Sequence, residues 1–192
     1  MSSTLPAPAN PALFLRRWLA NPLQMGSIVP SGSALCARVV AAVRRDAPAE
    51  WPRVIELGAG TGVIGRALLH AGLPPDRLTV VEIVPEMAAH LRRALPGARI
   101  VQGDARDLPA LLPGVQADSM ICGIPLVLLA RPMQRRFIDA MDAIAPGRGF
   151  LHFSYCVTSP LPARAHGLQA RREAWVARNF PPASLWRYTP LQ

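Results

Sequence analysis

Short apolar runs alternate with stretches of helical periodicity over most of the chain after residue 52. Five runs are predicted to form buried strands: "RVIEL" (53–57), "LTVVEI" (78–83), "ARIVQG" (98–103), "DSMICGI" (118–124) and "GFLHFSY" (149–155). Helices are predicted between them, near 63–71, 85–95 and 131–145. This alternation predicts right-handed βαβ units and therefore a parallel sheet with helices on both faces.

The two ends of the chain add further elements. One helix is predicted over residues 11–20, because Asn10 caps it and Asn21-Pro22 ends it. A second helix is marked by apolar residues at four-residue spacing, Leu35, Val39 and Val43. Near the other end, "EAWVAR" and "SLWRYT" flank "NFPPA", which predicts a closing antiparallel pair of strands.

A glycine-rich turn follows the first predicted strand, in "VIELGAGTGVIGRALL" (54–69). Gly58, Gly60 and Gly62 have no side chains, so the backbone there is free to turn sharply and to approach a ligand closely. The turn therefore predicts a nucleotide-type cofactor site at the end of this strand.

Two acidic residues near the glycine-rich turn help to identify the cofactor that binds there. Glu82 lies twenty residues after Gly62, and a Gly60-x-Gly62-x-x-Gly65 pattern precedes it, so the stretch also fits a dinucleotide-binding turn. A NAD-dependent oxidoreductase is therefore one alternative. Glu56, two residues before the first glycine, disfavours a pyrophosphate and favours a ligand with an ammonium or sulfonium group.

Four motifs resemble those of the class I S-adenosylmethionine-dependent methyltransferases, in order and spacing. "VIELGAGTG" resembles the first and "VVEIVPEM" the second, in which the Glu82 carboxylate accepts both ribose hydroxyls. "VQGDARDL" resembles the third, which implies Asp104 near the adenine amino group and Ala105 beside it. "DSMICGIPL" holds the fourth position, where methyl transfer takes place. The resemblance assigns the cofactor S-adenosylmethionine to Glu56, Gly58, Gly60, Gly62, Glu82, Ile83, Asp104, Ala105 and Gly123.

The same resemblance implies the fold and the domain organisation. We expect an α/β, Rossmann-like, seven-stranded and mostly parallel sheet with helices on both faces, closed by the antiparallel pair. Residues 1–50 are expected to form an N-terminal helical segment that faces a membrane or acts as a lid. Residues 51–192 are expected to form the cofactor-binding core, giving one domain overall.

The charge and the cysteine content of the chain limit the kinds of partner that it is expected to bind. The chain carries a formal net charge of +9 at pH 7, and all 21 of its basic residues are arginine. Such a surface attracts nucleic acid or an anionic membrane, and charge alone does not choose between them. The three cysteines, at 36, 122 and 156, are too widely spaced for a zinc site and odd in number, so neither a metal nor a disulfide framework is predicted.

Targeting signals are not predicted either. The N-terminus lacks a basic region followed by an apolar one, and the longest apolar run, at 120–130, is far shorter than the ~20 residues that span a bilayer. A cytoplasmic protein, peripheral on the inner face of the membrane, is the expectation that the remaining motifs support.

The fourth motif bears on the methyl acceptor. Adenine N-methyltransferases usually carry Asn/Asp-Pro-Pro-aromatic there, whereas this chain has Gly123-Ile124-Pro125-Leu126, with no amide or carboxylate to accept from an exocyclic amine. "FLRRWLANPLQMGSIVPSG", "GIPL", "FLHFSY" and "NFPPASLWRY" resemble the bacterial phospholipid N-methyltransferases. That family methylates phosphatidylethanolamine toward phosphatidylcholine and has relatives that act on ornithine lipids. An RNA or small-molecule methyltransferase stays an alternative.

The resemblance also implies acceptor residues. Tyr155 and Pro125 are the predicted catalytic residues, with Tyr155 contacting the amine through its ring face or its hydroxyl, or else packing in the core. Ile124 and Arg187 join Tyr155 as predicted substrate-binding residues, Arg187 for the lipid phosphate. The family usually has Thr-Tyr-Gly-Pro around this tyrosine, and residues 154–157 here read Ser-Tyr-Cys-Val, so the headgroup pocket is expected to differ. No residue stands out as a general base.

The predicted helix over residues 11–20 has an apolar arc and a cationic remainder. The arc consists of Phe14, Leu15, Trp18 and Leu19, and Arg16 and Arg17 point away from it. An ordinary helix packed on the core is one interpretation. Because the inferred acceptor is a lipid, the other is an interfacial helix that binds an anionic bilayer surface, with its apolar face in the membrane and its arginines on lipid phosphates.

Overall fold

A single seven-stranded sheet organises the part of the chain that the computed structural model describes, residues 32–47, 49–154, 158–177 and 182–191. The strands are β1 (Val54–Leu57), β2 (Leu78–Glu82), β3 (Arg99–Gln102), β4 (Ser119–Cys122), β5 (Phe150–Ser154), β6 (Leu168–Val176) and β7 (Ala183–Pro190). Their order is β3-β2-β1-β4-β5-β7-β6. Strands β1 to β5 pair in parallel, and β7 lies antiparallel between β5 and β6. The predicted sheet and closing antiparallel pair are confirmed.

Helices cover both faces of this sheet. They are α1 (Ser33–Asp46), α2 (Val63–His70), α3 (Pro85–Ala94), α4 (Leu108–Leu111) and α5 (Arg131–Ile144). Buried side chains of α1, α2 and α3 form one apolar cluster with the sheet, and those of α4 and α5 form a second cluster on the opposite face. Among the described residues, none of the helices is long and apolar enough to cross a membrane.

Helix α1 packs on the sheet as its spacing predicts. Leu35, Val39 and Val43 are fully buried in the same cluster as α2 and α3. Burying each such side chain contributes about 1.5–3 kcal/mol. Residues 33–46 of the expected N-terminal segment therefore share the hydrophobic core, whereas the predicted helix over residues 11–20 lies outside the described residues.

Strand β6 is longer than its pattern predicts. The sequence predicts a strand that begins near residue 173, but β6 begins at Leu168, directly after Gly167, whose φ of +69° turns the chain. Arg171 and Arg172 are exposed on this edge strand, so its first half lacks the apolar run that marks the inner strands. Charged residues are common on edge strands because they discourage pairing with another sheet.

The parallel arrangement brings the connecting segments that follow the strands to one edge of the sheet. Because β1 to β5 run in the same direction, their carboxyl ends meet there, and the loops after them form the rim at which α/β sheets bind ligands. In the described residues these loops begin at positions 58, 83, 103 and 123.

Candidate active site

Two glycine segments approach each other closely where β1 and β4 end. Gly58 has a φ of +66°, and a Cβ added there would lie 3.0 Å from Ile124 Cγ1. A Cβ added to Gly123 would lie 2.7 Å from the carbonyl oxygen of Gly58, closer than real contacts allow. The Gly123 amide in turn donates to the Leu57 carbonyl at 2.8 Å. Glycine is therefore required on both sides of this junction.

The Glu82 carboxylate ends β2 with a free acceptor. Its side chain is buried, and the Val84 amide donates to Oε1 at 3.0 Å. Oε2 is buried and has no hydrogen-bond partner among the described residues. Burial raises the pKa of Glu82, while amides of Val84, Gly60 and Ile83 oppose that rise. An orphaned acceptor of this kind fits a ligand hydroxyl, which would satisfy it.

Asp104 follows β3 and is held by Arg106. The Arg106 amide and Nε both donate to Asp104 Oδ1 at 2.9 Å, and the guanidinium also pairs with Oδ2. Burial favours the neutral acid, but the hydrogen bonds and charge of Arg106 outweigh it and hold the pKa of Asp104 below its ordinary value. Asp104 is thus an oriented, ionised carboxylate whose oxygens already accept from Arg106.

A pocket lies between these loops. It is lined by Gly58, Val81, Glu82, Ile83, Gly103, Asp104, Ala105, Ile124 and Phe137. The predicted site residues that line this pocket follow β1, β2, β3 and β4. Four other residues that were predicted to bind the cofactor do not line it: Glu56, Gly60, Gly62 and Gly123. Phe137, on α5, is a lining residue that the motifs miss, because its position in the helical apolar pattern marks it only as a core residue.

Glu56 lies next to the pocket and is buried without a full set of partners. Its side chain is 2% exposed, and Oε2 has no hydrogen-bond partner in the described part of the chain. A Cβ added to Gly65 would lie 3.1 Å from this oxygen, so the glycine makes room for the carboxylate under the turn. Burial, then the charge of Glu82, raises the pKa of Glu56 to about 8. A cation bound close by would favour its ionised form.

The segment after β4 is an apolar turn. Pro125 precedes a single 3-10 turn, Leu126–Leu128, and Ile124 and Leu126 are buried. Val127 and Leu128, two adjacent large apolar side chains, are exposed at 41% and 43%. This rim offers shape and apolar surface to an acceptor, without a titratable side chain of its own.

His152 is a packed residue of the core. It is buried on β5, and its Nδ1 lies 2.8 Å from the Cys122 carbonyl oxygen. Burial lowers the pKa of His152 to about 4, although the Cys122 carbonyl opposes the shift. Its imidazole is therefore neutral at pH 7 and engaged with the backbone. The predicted catalytic Tyr155, three residues further on, lies outside the described residues.

Arg187 is placed away from the predicted substrate pocket, which corrects the sequence prediction. It pairs in register with Leu151, near the amino-terminal end of β5 and so at the opposite edge of the sheet. Its guanidinium contacts Glu173 at 2.9 Å and Asp46 at 2.8 Å. Two carboxylates already neutralise this arginine, and it ties α1 to the β6–β7 pair instead of binding a phosphate.

Other titratable groups give no sign of a metal site. Among the described residues, no cluster of three or more His, Cys, Asp or Glu side chains is arranged to hold a metal ion. Cys36 and Cys122 are buried thiols. Burial raises the pKa of Cys122 to about 12, which makes it an unreactive core residue.

The sheet order and the glycine junction define a Rossmann-like α/β fold with a ligand site at the ends of its strands, and comparisons with known proteins agree. A "Methyltransferase domain" family model matches residues 54–147. An ornithine lipid N-methyltransferase of Singulisphaera acidiphila is 34% identical over 146 residues, which are 72% of this chain and 74% of that protein.

Solved structures give the same fold. The N-methyltransferase NodS from Bradyrhizobium japonicum WM9, in complex with S-adenosyl-L-homocysteine, aligns with a TM-score of 0.61 at 16% identity, covering 94% of this chain and 98% of that one. Magnesium protoporphyrin IX methyltransferase (ChlM) from Synechocystis PCC 6803, with bound SAH, aligns with a TM-score of 0.64 at 12% identity, covering 94% and 100%.

The chain belongs to the class I S-adenosylmethionine-dependent methyltransferases, and its cofactor is S-adenosylmethionine. The described residues fit that cofactor, because the orphaned Oε2 of Glu82 provides an acceptor for a ribose hydroxyl at the end of β2. The side-chain-free backbone at Gly58 leaves space beside it. The NAD-dependent oxidoreductase alternative is therefore set aside.

Proposed function

We propose that this chain N-methylates the amine headgroup of a membrane lipid. The observation that carries the proposal is the apolar turn after β4, in which Ile124 lines the cofactor pocket and Val127 and Leu128 are exposed. An acceptor bound there meets hydrocarbon and backbone, not the side-chain amide or carboxylate that a nucleobase amine requires. Similarity to a protein described as an ornithine lipid N-methyltransferase supports the same acceptor class.

The cofactor side of the site would hold the methyl donor through residues that the chain keeps in place. When bound, S-adenosylmethionine supplies an electrophilic methyl group on a sulfonium. Glu82 would accept from the ribose, and Ile83, Asp104 and Ala105 would flank the adenine. Glu56 lies beneath the glycine turn, where an ionised carboxylate would favour a cationic ligand.

The acceptor side must deliver a neutral amine. An amine with a pKa near that of lysine is neutral in about one molecule in two thousand at pH 7, which costs ~4.6 kcal/mol. His152 is engaged with the Cys122 carbonyl and is no base for this proton. We infer that apolar surroundings at Ile124 and Leu126 lower the amine pKa by desolvation, and the proton leaves to water. Tyr155 and Pro125 remain the proposed catalytic contacts.

Two headgroups are candidates. Ornithine lipid is favoured by the similarity over 72% of the chain. Phosphatidylethanolamine, methylated toward phosphatidylcholine, is favoured by the motifs around "GIPL" and "NFPPASLWRY". We propose that the enzyme works in the cytoplasm as a peripheral protein on the inner face of the membrane, with residues 14–19 of the predicted helix over residues 11–20 on the bilayer.

A reconstituted assay tests this function. The purified full chain is incubated with methyl-labelled S-adenosylmethionine and vesicles that contain ornithine lipid or phosphatidylethanolamine together with an anionic lipid. Bulk RNA and free ornithine or ethanolamine are offered in parallel. We expect label in a lipid amine; label in RNA or in the free amines, with none in either lipid, would overturn the proposal.

A further inference from the structure

A buried glutamine bridges the turn after β4, which the proposed function assigns to the acceptor, and the segment that precedes β6. Gln134 lies in the first turn of α5, and its side chain is 4% exposed. Its Nε2 donates to the carbonyl oxygens of Leu126 and Leu129, both at 3.0 Å. One amide therefore closes both ends of the turn that follows Pro125.

The other end of the same amide is also occupied. Gln134 Oε1 lies 2.8 Å from Nε2 of His166, a buried residue at the end of the 3-10 turn Ala163–His166. Because Gln134 Nε2 is the donor to both carbonyls, Oε1 must accept, and His166 must carry its proton on Nε2. The His166 carbonyl accepts from Arg135 Nη1 at 3.1 Å, which holds the same turn to α5.

The second segment has an anchor of its own toward the sheet. Ser159 Oγ lies 2.9 Å from the Tyr188 hydroxyl and donates to the Leu161 carbonyl at 2.8 Å. The chain from Ser159 to His166 is thus fixed at both ends, shortly after Tyr155. Buried polar groups that are fully satisfied favour one arrangement, because each alternative leaves a donor or acceptor unpaired.

We propose that Gln134 and His166 are positioning residues for the methyl acceptor: Gln134 holds the turn over residues 124–129 in the shape that receives the amine, and His166 fixes the orientation of the Gln134 amide. This inference rests on the proposed function, since that function assigns residues 124–129 to the acceptor. Neither residue lines the cofactor pocket, so we expect both to act on the acceptor more than on the cofactor.

Kinetics and cofactor binding test the proposal together. Gln134→Leu keeps the approximate volume and removes both donated bonds, so kcat/KM for the lipid acceptor should fall about tenfold or more. The dissociation constant for S-adenosylhomocysteine, measured by calorimetry, should change less than about threefold. Gln116→Leu, an exposed glutamine, is the matched control and should leave both unchanged. An equal loss of acceptor turnover and cofactor affinity, or a loss of neither, would overturn the proposal.

A double-mutant cycle tests whether His166 acts on the turn through Gln134. His166→Leu should lower kcat/KM by about threefold, and the double variant should match Gln134→Leu alone, because His166 acts through Gln134. His90→Leu, at an exposed position, is its control. Additive losses would show that His166 acts on its own. If Gln134→Leu fails to fold, His166→Leu still decides, since it retains both bonds to the turn.

A spectroscopic measurement separates this inference from the proposed function. In the wild type without any acceptor, the Gln134 side-chain amide should give one sharp, slowly exchanging pair of NMR resonances. The Ile124 and Leu129 methyl resonances should be single. In His166→Leu we expect these methyls to broaden through exchange between conformers. Unchanged methyl spectra would refute positioning, whereas a wild type that methylates no lipid but shows these signatures would refute only the acceptor assignment.

Discussion

The cofactor side and the proposed acceptor side of the site differ in the polarity of the groups that line them. On the cofactor side, after β1 to β3, charged and polar groups lie in or under the pocket. There Glu56 and Glu82 each keep a buried acceptor that has no partner within the described part of the chain. On the acceptor side, after β4, the rim is apolar, and the polar bonds of Gln134 are turned inward to the backbone. The comparison suggests that one side recognises its ligand by hydrogen bonds, and the other by shape and desolvation.

The two sides meet at Gly58 and Gly123, so a change there should have the largest effect. In Gly123→Ala the new Cβ would lie 2.7 Å from the Gly58 carbonyl oxygen and 3.1 Å from that of Leu57, and both are backbone atoms. Forcing the strands apart should weaken S-adenosylhomocysteine binding by about a hundredfold. Gly114→Ala controls for backbone strain, since Gly114 has a φ of +71° and nothing within 4 Å. Wild-type affinity in Gly123→Ala would contradict a tight junction.

Removing the orphaned acceptor should affect the cofactor side alone. Glu82→Ala should raise the cofactor dissociation constant about tenfold or more, because charge-assisted hydrogen bonds to the ribose are each worth about 1.5–3 kcal/mol. Isothermal titration calorimetry measures the change, with the exposed Glu86→Ala as control. If a folded Glu82→Ala protein binds the cofactor normally, the ribose partner lies elsewhere.

Reversing charge in the predicted interfacial helix should affect the acceptor side alone. Arg16→Glu/Arg17→Glu should weaken co-sedimentation with anionic vesicles by several-fold to about a hundredfold, since each arginine near such a surface adds about 1 kcal/mol. Cofactor affinity should stay unchanged. Arg92→Glu/Arg93→Glu, an exposed pair in the last turn of α3, makes the same charge change elsewhere. Equal losses from both pairs would indicate a general charge effect, and no loss from the first would favour a helix packed on the core.

The smallest expected effect concerns pH and the buried Glu56. Its pKa rises from an ordinary 4.5 to about 8, so the folded protein keeps a proton that the unfolded chain has lost between these values. Stability without cofactor should therefore fall as pH rises through this window. Glu56→Gln removes this titration. As pH rises through the same window, the melting temperature of the variant should therefore fall by about 2–4 °C less than that of the wild type. Scanning calorimetry with Glu86→Gln as control measures this; parallel pH curves for wild type and Glu56→Gln would contradict a buried, protonated Glu56.

Local motifs explain how much of this architecture could be predicted. Glycines and acids at strand ends act through the backbone next to them, so Gly58, Glu82 and Asp104 could be located from short stretches of sequence. Arg187 could not, because its partners Asp46 and Glu173 lie far away along the chain and only the fold brings them together. The role of Gln134 could not be predicted either, because a polar residue on an amphipathic helix is expected at the surface until its hydrogen-bond acceptors are known.

Whole-cell lipid mass spectrometry is the most direct test of whether this chain N-methylates the amine headgroup of a membrane lipid. The full chain and its Glu82→Ala variant are expressed in bacteria that make phosphatidylethanolamine and ornithine lipid but no methylated form of either. We expect the wild-type chain, and not the Glu82→Ala variant, to produce headgroups that carry added methyl groups. Lipid profiles identical to those of cells without the chain, from a protein that is folded and binds S-adenosylhomocysteine in the purified state, would contradict it.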